Sequence, residues 1–314
     1  MRSILVTILC TLAWLPCFGS SQGKAIPHLI LNFDINQTLI VGDTVGEKSP
    51  EMAIIDALTD RFVDQWDESL TQPIDYNTYI KEYLYPNPNK DKKIKNLQKE
   101  ALCSFLSFLE ESNHRFYLHA KAIYDQTIAS CQRRGTTIFT SFYKLLDHLE
   151  INEISYTLIF RTFGTDVNVV FQELNNIFGA RFLTELVKYK EKKFSDPADF
   201  YHYLKTIGHH IVIQDDWATW YQHGENGAYG KSFPIDFEDR NTLTLFFDDN
   251  ARLNTENPEK NAIAPFNLKS GKAMTAQEAI EVGRLFPVDT LAAINDSEYF
   301  INLLDQALKR LPQE

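Results

Sequence analysis

Cysteine is scarce in this chain of 314 residues, which contains only four. Cys10 and Cys17 lie in the first 22 residues, so removal of that segment would leave Cys103 and Cys131. Two cysteines do not constitute a disulfide framework, and whether they pair is left open. The pair His209-His210 lies where a strand is predicted to begin, which favours packing or solvation over metal binding.

Basic residues are also in the minority. The chain has 31 Lys and Arg against 42 Asp and Glu, a formal net charge of -11. This acidity argues against nucleic acid and anionic membranes as partners, because both require a basic face. Phosphorylated small molecules and phosphorylated protein side chains stay possible partners, since a metal and local cations can attract them to an acidic protein.

No apolar run is long enough for a transmembrane helix, which needs roughly twenty such residues. The run from Ile4 to Leu15 is shorter, follows Arg2 and precedes small residues, as is typical of a secretory signal peptide. We therefore expect residues 1–22 to be a signal peptide. The mature protein would be exported to a periplasm or out of the cell, without a stable membrane anchor; its oligomeric state is left open.

Several short apolar runs, each suited to a buried strand, end in polar residues. Asp34 follows Leu29–Phe33, Thr162 follows Ile154–Arg161, and the pair Asp248-Asp249 follows Asn241–Phe247. A further run, His210–Gln214, leads on to Lys231. One Asp after a strand is also ordinary turn chemistry. Two acidic strand ends can however converge on one cation, and Mg²⁺ typically takes one or two carboxylates together with phosphate oxygens.

With these residues in this order, the chain resembles the haloacid dehalogenase-like (HAD) superfamily. Asp34 and Thr38 match its first motif, Thr162 its second, Lys231 its third, and the pair Asp248-Asp249 its fourth. The resemblance implies an aspartyl nucleophile and a bound Mg²⁺.

In that family's mechanism, Asp34 would attack phosphorus, and Thr162 and Lys231 would bind the phosphoryl oxygens. The metal would be held by Asp34, the backbone carbonyl of Asn36, Asp248 and Asp249.

Asn36 is a departure from the family pattern, because phosphatases of this family carry a general acid/base Asp there. An amide cannot donate the proton that a leaving oxygen needs, and such catalysis is worth about 10²–10⁴-fold. Three outcomes fit: slow turnover limited to good leaving groups, a different leaving-group chemistry, or a binding role on a weakened enzyme scaffold.

The predicted fold is α/β, with a mostly parallel, Rossmann-like sheet in a HAD-like core and an inserted helical cap. The core comprises residues 27–43 and 137–314, and the cap residues 44–136. Apolar spacing predicts cap helices over Glu51–Trp66, Lys92–Glu111 and Phe116–Arg133, and core helices over Phe142–Leu149 and Val167–Phe178. The cap would cover the site and select the substrate; alternatively it is a helical subdomain without a gating role.

Two further segments carry expectations. Lys231 precedes Asp248 by about one helix-and-strand step, which is why it is preferred over Lys269 and Lys272 for the third motif. The run Asp215–Tyr221 could line a pocket, but a loop or hairpin whose aromatic side chains cover the core is favoured. The sequence thus predicts an exported, Mg²⁺-dependent phosphohydrolase, with a secreted binding or effector protein on the same scaffold as the alternative.

Overall fold

The structure is a computed structural model and describes residues 26–42, 49–89, 91–133, 135–164, 167–179, 182–251 and 259–311. The predicted signal peptide, residues 1–22, lies outside the described residues. Within those ranges, no helix is both long enough and apolar enough to cross a membrane.

The strands are β1 (His28–Asp34), β2 (Val63–Asp64), β3 (Ile74–Asp75), β4 (Tyr156–Thr162), β5 (Leu183–Lys188), β6 (His210–Gln214), β7 (Lys231–Ile235), β8 (Thr242–Asp248), β9 (Ile263–Asn267), β10 (Lys272–Ala273) and β11 (Leu285–Pro287). The helices are α1 (Pro50–Thr59), α2 (Tyr76–Thr78), α3 (Lys92–Cys103), α4 (Phe105–Glu111), α5 (Tyr117–Arg133), α6 (Thr140–Ile151), α7 (Val167–Phe178), α8 (Tyr189–Lys192), α9 (Pro197–Thr206), α10 (Trp217–Gln222), α11 (Ala276–Glu281), α12 (Thr290–Asn295) and α13 (Tyr299–Lys309). A π-helix spans Tyr79–Leu84 and a 3₁₀ helix Gly227–Tyr229.

The central sheet has six strands in the order β11-β8-β1-β4-β6-β5, and every pairing in it is parallel. The predicted α/β, Rossmann-like fold is therefore confirmed. Parallel sheets are covered on both faces, so their strands read as almost continuous apolar runs. This is why β1, β4 and β8 were recognisable in the sequence.

Helices cover both faces of the central sheet. On one face, the ring of Phe33 in β1 meets those of Phe142 in α6 and Phe300 in α13, at centroid distances of 5.2 and 5.3 Å. On the other face, Ile30 of β1 packs in one apolar cluster with Phe200 of α9. The side chains of β1 thus alternate between two cores, and the strand end that bears Asp34 is held from both sides.

Aromatic side chains pack together in the helical segment, residues 49–133, and they form one continuous apolar cluster with the core of the central sheet. Trp66 contacts Tyr76 and Phe105 at ring-centroid distances of 4.9 and 6.1 Å. Cys103 and Cys131 are both free thiols, which settles the question of their pairing. Cys103 is exposed at the end of α3, and Cys131 is half-buried.

Two of the predicted helices in this segment differ from the structure. The helix predicted over Glu51–Trp66 ends at Thr59, and the chain then turns into the β2-β3 hairpin. The helix predicted over Lys92–Glu111 is two helices divided at Ser104, whose hydroxyl donates to the Glu100 carbonyl at 2.9 Å. Apolar spacing alone cannot distinguish one helix from two that pack on the same core, whereas a serine hydroxyl competes locally for backbone partners.

The helical segment leaves and rejoins the core at adjacent points. Ile40 and Ile138 form an isolated antiparallel bridge, and the Phe139 N–H donates to the Leu39 carbonyl at 2.8 Å. The predicted boundaries, 27–43 and 137–314 for the core and 44–136 for the cap, stay a prediction.

The segment also docks on α12. Arg61 pairs with Asp289 just before that helix, and the Ser130 hydroxyl donates to Asn295 in it at 3.0 Å. The hydroxyl of Thr290, the first residue of α12, donates to the Gln37 carbonyl at 2.7 Å. Helix α12 therefore contacts both the helical segment and the loop that follows Asp34.

A second, three-stranded sheet has the order β10-β9-β7, with β7 and β9 parallel. It packs on the central sheet through Phe233 of β7 and Phe246 of β8, whose rings lie 5.3 Å apart, edge to face. The helix-and-strand step expected between Lys231 and Asp248 is wrong, because β7 passes through a loop directly into β8. Strand β7 is an edge strand and contains Pro234, a residue that edge positions tolerate.

Strand β6 begins at His210, whose ring packs against a neighbouring strand. Its ring stacks on Tyr156 at 5.4 Å, and its Nδ1 accepts a hydrogen bond from the Leu158 backbone N–H at 3.0 Å. Only an unprotonated Nδ1 can accept this bond. Burial lowers the pKa of His210 to about 4, which keeps the ring neutral near neutral pH.

We expect this histidine to make folding stability depend on pH. Its pKa is lower in the folded than in the unfolded chain, so its contribution is complete above the unfolded pKa and is lost as the pH falls from 6.5 towards 4. The free energy of unfolding should lose roughly 2 kcal/mol from this group between pH 7.5 and pH 5. Urea unfolding of wild type and His210→Asn at both values measures it, because an Asn oxygen can keep the Leu158 bond without titrating. The exposed His202→Asn is the control and should lose as much unfolding free energy between the two pH values as wild type does. An equal loss in His210→Asn would contradict the role given to His210.

Candidate active site and metal centre

The two acidic strand ends meet at the carboxyl edge of the central sheet. Strands β1 and β8 are parallel neighbours, with Phe33 opposite Phe247, so Asp34 and Asp248 emerge side by side. One carboxylate oxygen from each of Asp34, Asp248 and Asp249 lies within 4.8 Å of the others. All three residues are buried. The predicted metal ligands with acidic side chains are thus brought together.

Lys231, the first residue of β7, reaches this cluster from the second sheet. Its Nζ contacts a carboxylate oxygen of Asp34 and lies 2.7 Å from Oδ2 of Asp248. The side chain is 2% exposed. The small sheet therefore carries an ammonium that contacts both strand-end carboxylates.

Like charges are concentrated in this cluster. Among the described residues, three carboxylates and the Lys231 ammonium lie together in it, and buried charge is costly unless it is compensated. Burial raises the pKa of Asp34 well above its ordinary value; the Lys231 ammonium opposes this rise, and the carboxylates of Asp248 and Asp249 add to it. Burial alone would lower the pKa of Lys231, but Asp248 and Asp34 outweigh it and hold that pKa above its ordinary value.

A divalent cation fits this donor set. Carboxylate oxygens are hard ligands of the kind that Mg²⁺ prefers, and a dication would relieve the repulsion among the three carboxylates. Asp34, Asp248 and Asp249 are the residues that would hold it.

The loop after Asp34 is hydrogen-bonded to Asp249. The Asp249 N–H donates to the Thr38 hydroxyl at 3.1 Å, and that hydroxyl lies 3.4 Å from Oδ1 of Asp249. Asn36 is half-buried in the turn between them, where the Gln37 N–H donates to the Ile40 carbonyl at 2.7 Å. Asn36 therefore lies two residues beyond Asp34, in a hydrogen-bonded turn that Thr38 joins to Asp249.

Thr162 ends β4, the strand on the other side of β1 from β8. Residue Asp34 lies opposite Arg161 in the β1-β4 pairing, so Thr162 is one position further along the same edge. Its hydroxyl accepts a hydrogen bond from the Gly164 N–H at 2.8 Å, which leaves its own proton available for an oxygen of a ligand.

Arg161 was not identified from the sequence, and Asp215 was considered only as part of the run Asp215–Tyr221, not as a partner of Arg161. Arg161 is fully buried, and its guanidinium binds the Asp215 carboxylate with two hydrogen bonds, from Nε at 3.0 Å and from Nη2 at 2.5 Å. A signal was present: an Arg inside an apolar strand needs a buried acid, and Asp215 directly follows the neighbouring strand.

The run Asp215–Tyr221 is neither a loop nor a hairpin. It contains α10, which Asp216 caps by accepting from the Thr219 N–H at 3.2 Å. Trp220 stacks on Phe163 at 4.9 Å and packs against the core, as expected of its aromatic residues, whereas Trp217 is exposed.

A cleft of about 850 Å³ adjoins the site across β7. Its lining includes Tyr189 after β5, Asp216 after β6, Ser232 of β7 and Phe266 of β9. Ser232 and Lys231 are consecutive in a strand, so their side chains point to opposite faces, and the cleft and the carboxylates lie on opposite sides of β7. Among the described residues, none that line the cleft come from the helical segment, for which substrate selection was one of two predicted roles.

We expect Mg²⁺ to raise the melting temperature of this protein. Binding to the folded state stabilises it by roughly 2.7 kcal/mol at a hundredfold excess over the dissociation constant. The rise should shrink in Asp248→Asn, because the amide keeps an oxygen but loses the charge that a hard cation prefers. Thermal melts with and without Mg²⁺ measure both rises. The exposed Asp125→Asn is the matched control and should respond as wild type does; equal responses in all three proteins would refute the metal site.

No protein-family model matches this chain, and no curated protein matches it either. Among solved structures, the chain is similar to a haloacid dehalogenase-like family hydrolase from Xanthomonas campestris. The match covers 90% of this chain and 99% of that one, with 10% sequence identity and a TM-score of 0.25. A likeness this distant carries no argument about function. The description of the fold therefore rests on the sheet topology, and any function must rest on the residues of the site.

Proposed function

We propose that this chain is a HAD-like, Mg²⁺-dependent phosphohydrolase that acts through an aspartyl-phosphate intermediate. One observation carries the proposal: Lys231 contacts both Asp34 and Asp248, and Asp249 completes a buried three-carboxylate cluster at the carboxyl edge of a parallel sheet. A nucleophile, a cation for phosphate oxygens and a set of hard metal ligands are the groups that phosphoryl transfer requires.

In the first step, an oxygen of Asp34 attacks the phosphorus of a phosphate ester. A bond forms between that oxygen and phosphorus while the bond to the leaving oxygen breaks. Lys231 and Thr162 would bind the phosphoryl oxygens, where charge is spread in the transition state. In the second step, water attacks phosphorus, which releases phosphate and restores the Asp34 carboxylate.

A bound Mg²⁺ would neutralise charge on the phosphoryl group and the carboxylates. Asp34, Asp248 and Asp249 would hold it, and the resemblance adds the backbone carbonyl of Asn36.

Asn36 determines which esters such an enzyme could cleave. Its amide cannot protonate the leaving oxygen, so an oxygen that leaves readily as an anion is favoured. Substrates would be phosphorylated small molecules or phosphorylated protein side chains, met after export through the secretory pathway.

The second candidate function is a secreted binding or effector protein on the same scaffold, with little or no turnover. Asn36 supports it, because the group that completes catalysis in the resembled family is replaced by an amide.

The test is hydrolysis of an activated aryl phosphate in the presence of Mg²⁺, by wild type and by Asp34→Asn. Activity that the substitution abolishes would support the enzyme. No activity in wild type would favour the binding protein.

A further inference from the structure

The buried pair of Arg161 and Asp215 joins the elements that assemble the site. Besides its two bonds to Asp215 beyond β6, the Arg161 guanidinium donates from Nη1 to the Ser232 carbonyl in β7 at 3.0 Å. The same nitrogen lies 3.4 Å from the side-chain oxygen of Asn32 in β1. One side chain of β4 thus contacts the strand that bears Lys231, the strand that bears Asp34, and the acid that follows β6.

The contact with Ser232 bears directly on Lys231, because the two residues are consecutive. Strand β7 lies at the edge of the small sheet, where β9 is its neighbour among the described strands. The bond from Arg161 fixes the β7 backbone against the central sheet, one residue from the Cα that carries the Lys231 ammonium. Without it, the long Lys231 side chain would start from a less defined position.

Asp215 contributes a second constraint. Its backbone N–H donates to the Thr162 carbonyl at 2.8 Å, while its carboxylate holds Arg161. Asp215 therefore contacts the end of β4 at Thr162 directly, and it contacts β7, which carries Lys231, through Arg161.

Stability is a weak explanation for this pair. Replacing a buried ion pair by apolar residues of similar volume is often neutral or stabilising, since the charges must first be removed from water. Arg161 already lies among apolar side chains, 5.4 Å from the ring centroids of both Phe200 and Phe246. An apolar side chain would suit these rings, but it could not hold the Ser232 carbonyl.

We propose that Arg161 and Asp215 are positioning residues that place Lys231 against Asp34 and Asp248. Neither residue is among those proposed to hold the phosphoryl group or the metal, and both act through the backbone of β7. This inference deepens the proposed hydrolase function and rests on it for the kinetics, but the placement of Lys231 can be measured without any activity.

The principal variant is the double replacement Arg161→Met/Asp215→Leu, which removes the pair without leaving an unpaired buried charge. Mass spectrometry would follow acetylation of Lys231 in the metal-free protein, with the surface residue Lys205 as an internal reference. We expect Lys231 to react at least about tenfold faster than in wild type, with Lys205 and the melting temperature little changed; misplacement of a reacting group by about 1 Å can cost about 10²-fold in rate. The kcat for an aryl phosphate should fall by about 10²-fold, with a smaller change in KM.

Arg161→Lys is the second variant. It keeps the buried positive charge but loses the bidentate hydrogen bonding to Asp215 and the bond to the Ser232 carbonyl. In Arg161→Lys, too, acetylation of Lys231 should be faster than in wild type and kcat should be lower. Arg115→Met, an exposed arginine in the helical segment, is the matched control and should behave as wild type.

Unchanged Lys231 acetylation and unchanged kcat in both variants would overturn the positioning role. Faster acetylation of Lys205 as well, together with a lower melting temperature, would also overturn it, because the pair would then be a stability element. Faster acetylation of Lys231 alone, in a protein whose wild type hydrolyses nothing, would uphold the placement and refute the proposed hydrolase.

Discussion

Asp34→Asn is expected to abolish hydrolysis of an activated aryl phosphate, with kcat falling by more than about 10³-fold. Loss of a nucleophile elsewhere costs up to on the order of 10⁶-fold, because no covalent intermediate can form. The measurement is the initial rate with saturating Mg²⁺ and substrate. The exposed Asp125→Asn, the same change outside the site, should keep the wild-type rate.

The melting temperature separates this effect from unfolding. Burial raises the pKa of Asp34 because its charge is poorly solvated, and Asp248 and Asp249 repel it further. An uncharged amide of the same shape should therefore leave the metal-free protein at least as stable as wild type. An inactive variant that melts far below wild type would show that Asp34 acts through folding, and a variant with substantial activity would exclude it as nucleophile.

Asn36→Asp is expected to have the second-largest effect, and in the opposite direction. Supplying an acid where the amide stands should raise hydrolysis of an alkyl phosphate, in the range of about 10²–10⁴-fold for positioned acid/base catalysis. An aryl phosphate should gain much less, because its leaving oxygen departs without a proton. The measurement is the ratio of kcat/KM for the two esters in wild type and variant.

Asn36→Ala is the control for this second experiment. It removes the amide without adding an acid, so the ratio between alkyl and aryl esters should stay as in wild type. If Asn36→Asp accelerates both esters equally, or neither, then residue 36 does not face the leaving group.

Much of the fold could be predicted because β1, β4, β6 and β8 are buried on both faces. Such strands leave a continuous apolar run in the sequence, and an acid or threonine after the run stands out. Neighbouring parallel strands have their carboxyl ends at the same edge, so the pairing of β1 with β8 is enough to place Asp34 next to Asp248.

The second sheet could not be predicted in the same way. Strand β7 reads Lys-Ser-Phe-Pro-Ile, with a charge, a hydroxyl and a proline in five residues, and so lacks the pattern of a buried strand. The order of the motifs along the chain identified Lys231. The contacts that place its side chain could not be predicted from the sequence. Arg161 escaped notice because an ion pair between two different strands has no fixed spacing in sequence.

The adjacent ends of the helical segment have an evolutionary consequence. Because Ile40 and Ile138 form a bridge, the chain departs and returns at nearly the same point. A short turn could join them without altering the register of any strand in the central sheet. The length and sequence of the excursion could therefore change while the strands that carry the carboxylates and Lys231 keep their pairing. Relatives of this protein could share its chemistry yet differ almost completely between these two isoleucines.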